Sequence, residues 1–367
     1  MRLALRELRR SRRRFVPTTV ALALLVVLLL MLGGLLDGLY IGSTGALRSQ
    51  DDELVAFDRA ARESTLRSRV EPATRAEIEA VPGVRSTSGF GIALVGADVP
   101  RTDELADAAV MGYEGRVGGV PAPPAPGRAW ADRSLEARGV RIGDVVRVGP
   151  TRIPLRVIGW VDDTNYLQQG GLWVEPGTWR TVLAESRPGA AVGDDVFQNV
   201  WIDVASGADP LRVAAAIDAA TGTTRTITRA EAVLALPGIR EQNATFTQII
   251  GVTFLVAGLV VALFFALLTL ERTPMLGVLK ALGASSRQLV GALMTQTVAV
   301  TVVAFVVGGV VALGLDRLIP PEVPLVVTPG RAVFVAVGIF VAAVIGGAVS
   351  LRRIIRIDPA SAIGTGT

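Results

Sequence analysis

Four long stretches of the chain carry no charged residue: Phe15 to Leu36, Phe246 to Leu270, Gln288 to Leu315 and Ala332 to Leu351. An apolar helix of about 20 residues crosses a hydrocarbon core of roughly 30 Å. Each stretch is therefore predicted to be a membrane span. Between the first two lies an insert, residues 37–245, whose apolar runs are short and alternate with polar positions. That pattern predicts a folded α+β domain.

Within the insert, Glu53 to Leu66 reads as a helix continuing outward from the first span, with a thin apolar stripe. Pro72 to Ala80 has a proline and early acids suited to a helix start, then Pro82-Gly83 as a stop and a strand over Gly91 to Val95. The same grammar returns as a strand over Val200 to Val204, a helix from Asp209-Pro210 to Ala220 and a strand over Thr223 to Thr228. The two ends of the insert thus look like a pseudo-repeat. Gly118 to Gly127 is too rich in Pro and Gly for a regular element and reads as a loop joining subdomains. Asp144 to Val148, Ile153 to Val161 and Leu172 to Val174 are short and β-branched, so the middle, about 128–175, is expected to be β-rich. All five tryptophans lie in the insert and read as core or interface residues. Tyr166 to Gly171 is expected to be an exposed, mobile contact loop.

Charge gives the chain an orientation. Residues 37–245 hold 22 Arg against 28 Asp and Glu, a net of −6, which leaves +10 on the rest of a chain whose total is +4. The surplus sits before the first span (residues 1–14), between the second and third (271–287) and after the fourth (352–367), while 316–331 is neutral. The positive-inside bias places both termini and the 271–287 loop in the cytoplasm, and 37–245 and 316–331 outside. Ser11-Arg12-Arg13-Arg14-Phe15 has the outline of an export signal. The apolar run after it exceeds the roughly 7–15 residues of a signal core, and Leu35-Leu36-Asp37-Gly38 is no small-x-small cleavage site, so the span is expected to be retained.

Composition removes several chemistries. With no His and no Cys, a Cys/His zinc site, a Ser-His-Asp triad, a cysteine nucleophile and a disulfide framework are all excluded. The only lysine, Lys280, is followed by alanine, so the chain holds no P-loop. Nucleotide hydrolysis, where needed, must come from a partner. Asp162-Asp163 and Asp194-Asp195 lack a spaced third ligand and read as turn residues rather than as an enzyme's acid and base. No ionisable residue lies inside the apolar stretches, which argues against an ion-coupled carrier. Small residues recur every four positions on the third span (Ala304, Gly308, Ala312) and the fourth (Gly338, Ala342, Gly346, Ser350). That spacing keeps them on one helix face, available either to the chain's own helices or to a second copy.

The second span ends in Glu271-Arg272-Thr273-Pro274-Met275-Leu276-Gly277-Val278-Leu279-Lys280-Ala281-Leu282-Gly283-Ala284-Ser285. Pro274 suits the first turn of a new short helix, with Met275, Leu276, Leu279 and Leu282 as its apolar side and Gly283 as its stop. Such a helix can lie in the lipid interface or seat in a groove of a soluble partner. The run ERTPMLGVLKALGASSRQL resembles the signature of the FtsX-like permeases, the MacB, LolC/LolE and DevC type of ABC transporter subunit. The tail Arg352 to Ile363, with Arg356, Asp358 and Pro359, is similar to that family's closing motif, and the order of one span, a large domain and three spans agrees. ADRSLEARGVRIGDVVRVG, followed by LRVIGWV, is similar to a recurrent segment of the family's outer domain.

The resemblance implies a fold of four transmembrane helices with a mixed α+β extracytoplasmic domain between the first and second, in a bacterial inner membrane. It implies that residues 274–284 form a coupling helix docking on a cytoplasmic ATPase, present in two copies beside a second permease chain, either identical or a paralogue. ATP and Mg would be bound by that partner, and this chain would hold no cofactor. ATPase motion would pass along the spans to the outer domain, for export or extraction of a lipid, lipoprotein, peptide or drug. A non-transporting subunit regulating a cell-wall hydrolase or a sensor is the alternative, and an extracytoplasmic accessory protein or lipoprotein is a further possible partner. Nucleic acid is not implied. Where the family carries an acid two residues before the glycine, this chain has Met275 after Pro274, so any acid-to-base contact with the ATPase at that point is absent.

Overall fold

The computed structural model describes residues 12–100, 105–281, 285–320 and 323–355. In chain order its main elements are α1 (Arg12–Arg48), β1 (Leu54–Asp58), α2 (Pro72–Glu79), β2 (Val84–Asp98), β3 (Leu105–Tyr113), β4 (Arg128–Asp132), β5 (Val145–Val148), β6 (Ile153–Val161), β7 (Gly170–Val174), α3 (Pro176–Ser186), β8 (Asn199–Val204), α4 (Pro210–Thr221), β9 (Thr224–Thr228), α5 (Arg229–Ala235), α6 (Ile239–Ala281), α7 (Ser286–Asp316) and α8 (Pro329–Ile355). They form two compact units, Met1–Gly38 with Asn243–Thr367, and Leu39–Gln242.

The first unit is helical. Phe15–Arg48, Ile239–Phe264, Met294–Asp316 and Pro329–Gly346 are each long and apolar enough to cross a membrane. Leu22, Val26, Leu29, Val261, Val300, Ala304, Val335 and Ile339 turn inward, while Val252, Leu259, Val306, Val310, Val337 and Ile345 stay exposed, as expected of a bundle whose outer face meets lipid. All four helices overrun their predicted spans, α7 by only two residues at its start and one at its end. α1 continues past Leu36 to Arg48, and α8 begins at Pro329 behind a Thr328 cap. α6 starts at Ile239 and runs without interruption through Pro274 to Ala281, so the helix start expected at Pro274 is not there. A proline within a helix costs one backbone hydrogen bond and tends to kink it. The helix formers around it, Met275, Leu276, Leu279, Lys280 and Ala281, carry the helix past that loss.

The second unit is built around β2, which belongs to two structures at once. Its first half pairs with β8, and the sheet order β2-β8-β1-β9 is antiparallel throughout. α2 and α4 lie on one face of this sheet, where Ile78, Val81, Val213 and Ile217 cover Leu54, Ala56, Val200 and Ile202. The chain order β1-α2-β2 and β8-α4-β9 makes a ferredoxin-like split βαβ arrangement, so the two ends of the insert do form one body. The second half of β2 pairs with β3 and, at its end, with β5. Following β2-β3-β7-β4-β6-β5 returns to β2 and closes a six-stranded barrel, with β3 and β7 parallel and β4 and β6 parallel. Its core is small and dense: Ala93, Ala97, Ala108, Val110, Ala129, Ala131, Val148, Leu155 and Val157.

Two expectations about the insert are corrected here. Glu53 to Leu66 is not a helix; it holds β1 and a short 3-10 turn, Arg59–Ala61. Val55 and Phe57 pack in one core and Leu54 and Ala56 in the other. A central strand covered on both faces reads as an unbroken apolar run, which is why its pattern passed for a helix with a thin stripe. Gly118 to Gly127 does not join subdomains either, since β3 and β4 on either side of it both belong to the barrel. It is tied down where Gly118 N donates to Ser49 O, Tyr113 Oη to Pro121 O (2.6 Å) and Trp130 Nε1 to Ala122 O (3.2 Å). Trp173, Trp179 and Trp201 are fully buried core residues.

β9 is the sheet's open edge, and carboxylates occupy its backbone donors. Asp218 Oδ1 accepts from Thr226 N (2.7 Å) and Glu231 Oε2 from Thr228 N (3.0 Å). A plugged edge is a poor template for strand addition.

Between α1 and β1 the chain brings Asp51, Asp52 and Glu53 near Asp203, with Arg229 as the opposing charge. Burial first, and then these carboxylates, push the Asp52 carboxyl from 3.8 up to about 6. The folded state therefore holds this proton more tightly than the unfolded one. The stability that this gives is complete below about pH 4 and is lost as pH rises through 6. Asp52→Asn should raise the melting temperature of the full chain in detergent at pH 7.5, and the gain should shrink toward pH 4, read from tryptophan fluorescence. A gain of equal size at both pH values would refute this account.

Candidate functional site

Glu271, Arg272, Met275, Leu276, Gly277, Leu279, Lys280 and Ala281 all lie in the last turns of α6, where the helix extends beyond its apolar stretch. Leu282 and Gly283 fall outside the described residues, as do Arg356, Asp358 and Pro359. The candidate docking region is thus a continuation of a span.

The small-residue stripes face the chain's own helices. Ala304 and Ala312 are buried, and a Cβ on Gly308 would sit 2.7 Å from Ala23 O and 2.8 Å from Val26 Cβ of α1. On α8, a Cβ on Gly338 would enter the ring of Phe254, and one on Gly346 would collide with Gly258 O of α6. Ala342 lies opposite Gly258 in the same contact. Ser350 is helical, at the far end of α8. Close approach of backbones is what small residues provide between helices in lipid, and here α7 uses it against α1, and α8 against α6.

A third stripe, on α1, is not among those predicted from the apolar stretches. Gly34, Gly38 and Gly42 recur every four residues, with Gly45 one turn further on, a spacing that puts them on one side of the helix. In the helical unit, the segment between α7 and α8 lies against this side. Val326 N donates to Gly34 O (3.0 Å), and a Cβ on Gly38 would collide with the Pro324 carbonyl. One turn away, Asp37 receives both arms of the Arg331 guanidinium, Nε at 3.2 Å and Nη2 in a closer contact, and Thr328 Oγ1 donates to the same carboxylate at 2.9 Å. Thr328 Oγ1 in turn accepts from Arg331 N (3.2 Å), capping α8. The Arg331 side chain passes over Gly33 and stands 5.8 Å from the Phe334 ring. Both charged side chains are under one-fifth exposed. A bidentate pair of this kind fixes orientation as well as lowering energy. Outside the apolar stretches, the ends of the first and fourth spans are thus joined by a compensated charge.

In the second unit, the loop predicted to be exposed and mobile is held in place. Tyr166 is buried, and its hydroxyl, bonded to Thr65, titrates up near 12 because of that burial. Leu167 N donates to Ser43 O (3.1 Å), Gln168 N to Gly42 O (2.9 Å), and Ala46 N to Asn165 O (2.9 Å). Gln168 Nε2 donates to Leu39 O (2.7 Å) and Ser43 Oγ (3.0 Å), and Arg48 pairs with Asp163 (2.6 Å). Glycines and glutamines suggested a loose loop; instead the glutamine's amide is spent on α1. Asp162 likewise pairs with Arg133 (2.6 Å), so the Asp162-Asp163 doublet serves two structural contacts.

The fold and these contacts define a class: four apolar helices of membrane-spanning length, with an α+β domain inserted after the first. The carboxyl-terminal part of this chain, residues 248–359, matches the model of the FtsX-like permease C-terminal region. HrtB of Staphylococcus haemolyticus, whose name gives it as a hemin transport system permease protein, is 28% identical over 111 residues, 30% of this chain and 32% of that protein. The first matches thus span about a third of the relatives' own length. An uncharacterized ABC transporter permease of Mycobacterium tuberculosis is 35% identical over 144 residues, 38% of this chain and 40% of its own. A second one from that organism is 25% identical over 369 residues, covering 98% of both chains. Among solved structures, the periplasmic region of MacB from Actinobacillus actinomycetemcomitans covers 50% of this chain and 90% of its own at a TM-score of 0.36 and 11% identity. The extracellular domain of the ABC-type transporter YknZ from Gram-positive bacteria covers 48% and 98% at 0.33 and 13%.

The ion pair at the span ends makes a direct prediction. Asp37→Ala or Arg331→Ala leaves a half-buried charge without its partner and should cost roughly 3 kcal/mol. The swap Asp37→Arg with Arg331→Asp should recover part of the loss, read as thermal stability of the full chain in detergent. Additive losses in the double variant would mean that the pair does not interact.

Proposed function

We propose that the chain is the permease subunit of an ABC transporter of the FtsX/MacB type, a non-catalytic protein that carries the motion of a separate ATPase across a bacterial cell membrane. Two ATPase copies would act on a pair of permease chains, the second identical or a paralogue. Both termini and the 271–287 segment would lie in the cytoplasm, following the positive-inside bias. The inserted domain would then work outside, on a lipid, lipoprotein, peptide or drug taken from the outer leaflet or beyond it.

The observation that carries this reading is that residues 248–359 match the FtsX-like permease C-terminal model and that, within them, Glu271 to Ala281 continues α6 as unbroken helix past its apolar stretch. A partner pressing on that end pushes on a rod instead of on a flexible loop. The absence of ionisable residues from the four apolar stretches supports the same view, because transmission needs no hydrophilic path through the bilayer.

Purification from native membranes should bring down a P-loop ATPase in stoichiometric amount, and Leu276→Asp or Gly283→Asp should release it while leaving the melting temperature of the permease unchanged. A chain that purifies without any such protein would sink the proposal, and an undiminished complex in both variants would move the docking site elsewhere.

A further inference from the structure

Gly42-Ser43-Thr44-Gly45 puts four poor helix formers in succession near the end of α1. The stretch is helical all the same, and the 163–168 loop bonds to its backbone. We propose that this loop is a releasable clasp: it keeps residues 42–46 of α1 wound, Gln168 is the positioning residue that closes it, and losing the grip of Gln168 lets this turn open.

Three observations converge. The loop bonds to the backbone of the helix. Gly42 O and Ser43 O accept from the loop, and Ala46 N donates to it. Groups inserted beside the i to i−4 ladder are where helices bend or open. The contact also needs bare helix surface, since a Cβ on Gly45 would sit 2.5 Å from Asp163 O and one on Gly42 2.7 Å from the Gln168 amide. Finally, the loop is held in a costly shape. Asp163, Leu167 and Gln168 have φ of 57°, 49° and 65°. These are left-handed values that non-glycine residues keep only when their surroundings impose them. The outer lock, Arg48 with Asp163, is partly exposed at 29% and 46% and therefore easily opened. Tension in the loop and weak propensity in the helix both favour release, and the Gln168 amide opposes them with its bonds to Leu39 O and Ser43 Oγ. If the chain works as a permease subunit, the clasp gives a displacement of α1 a defined place to be taken up. That clause rests on the proposed function; the clasp does not.

The chain has no cysteine, so one introduced thiol reports without background. Ala46→Cys sits at a fully buried position beside the clasp, and Ala129→Cys at a fully buried position in the barrel core. Maleimide labelling is followed on the full chain in membrane vesicles. Ala46→Cys should react slowly alone, and about tenfold faster or more once Gln168→Met removes both amide hydrogen bonds while keeping side-chain length. Gln168→Met should leave Ala129→Cys slow, which separates local release from global unfolding. The proposal is overturned if Gln168→Met leaves the Ala46→Cys rate unchanged, or if both thiols accelerate together. Neither readout involves an ATPase, so failure of the permease reading would leave this result standing.

Discussion

Close approach of one backbone to another is the constraint on which this molecule rests. In lipid, burying apolar side chains against one another gains little over leaving them among acyl chains, so helices associate by contact distance and by the few polar links they can make. Gly308 lets α7 reach α1, and Gly338 and Gly346 let α8 reach α6. α1 carries further glycines in both units. In the helical unit Gly34 and Gly38 take the segment before α8; in the second unit Gly42 and Gly45 take the 163–168 loop. Polar links close each contact in turn, the Asp37–Arg331 fork in the helical unit and the Gln168 amide in the other. A methyl group at Gly38 or Gly45 would meet main-chain atoms, which cannot rotate away as a side chain can.

Much of this was legible in the sequence, and the misses have physical causes. Four spans stood out because charge is absent from them. The repeated strand-helix-strand grammar stood out because each helix opens on a proline next to an acid, Glu71-Pro72 and Asp209-Pro210, and the structure joins the two repeats in one sheet. β1 was misread because a doubly covered strand has no alternation to betray it. The Tyr166 to Gly171 loop was misread because its order comes from backbone bonds of Leu167 and Gln168 to a segment more than a hundred residues away, and composition does not encode such bonds. Pro274 was read as a boundary by a local rule that the helix overrides. The glycine stripe of α1 was within reach. The four-residue spacing of Gly338, Ala342 and Gly346 also holds at Gly34, Gly38 and Gly42, but there it crosses the end of the apolar stretch and so is not a feature of the span alone.

The electrostatic design is economical. The four apolar stretches are free of charge, and where a carboxylate does appear just past the end of the first, at Asp37, it meets Arg331 in a bidentate, capped arrangement. Charge that would be costly near hydrocarbon is made specific instead: it registers one helix against another.

The sharing of β2 between sheet and barrel limits how the inserted domain can be divided. A fifteen-residue strand whose two halves serve different bodies leaves no hinge at their junction. Cutting the barrel out would strip the sheet of an edge, and removing the sheet would leave half a strand unpaired. The two bodies must therefore gain and lose structure together.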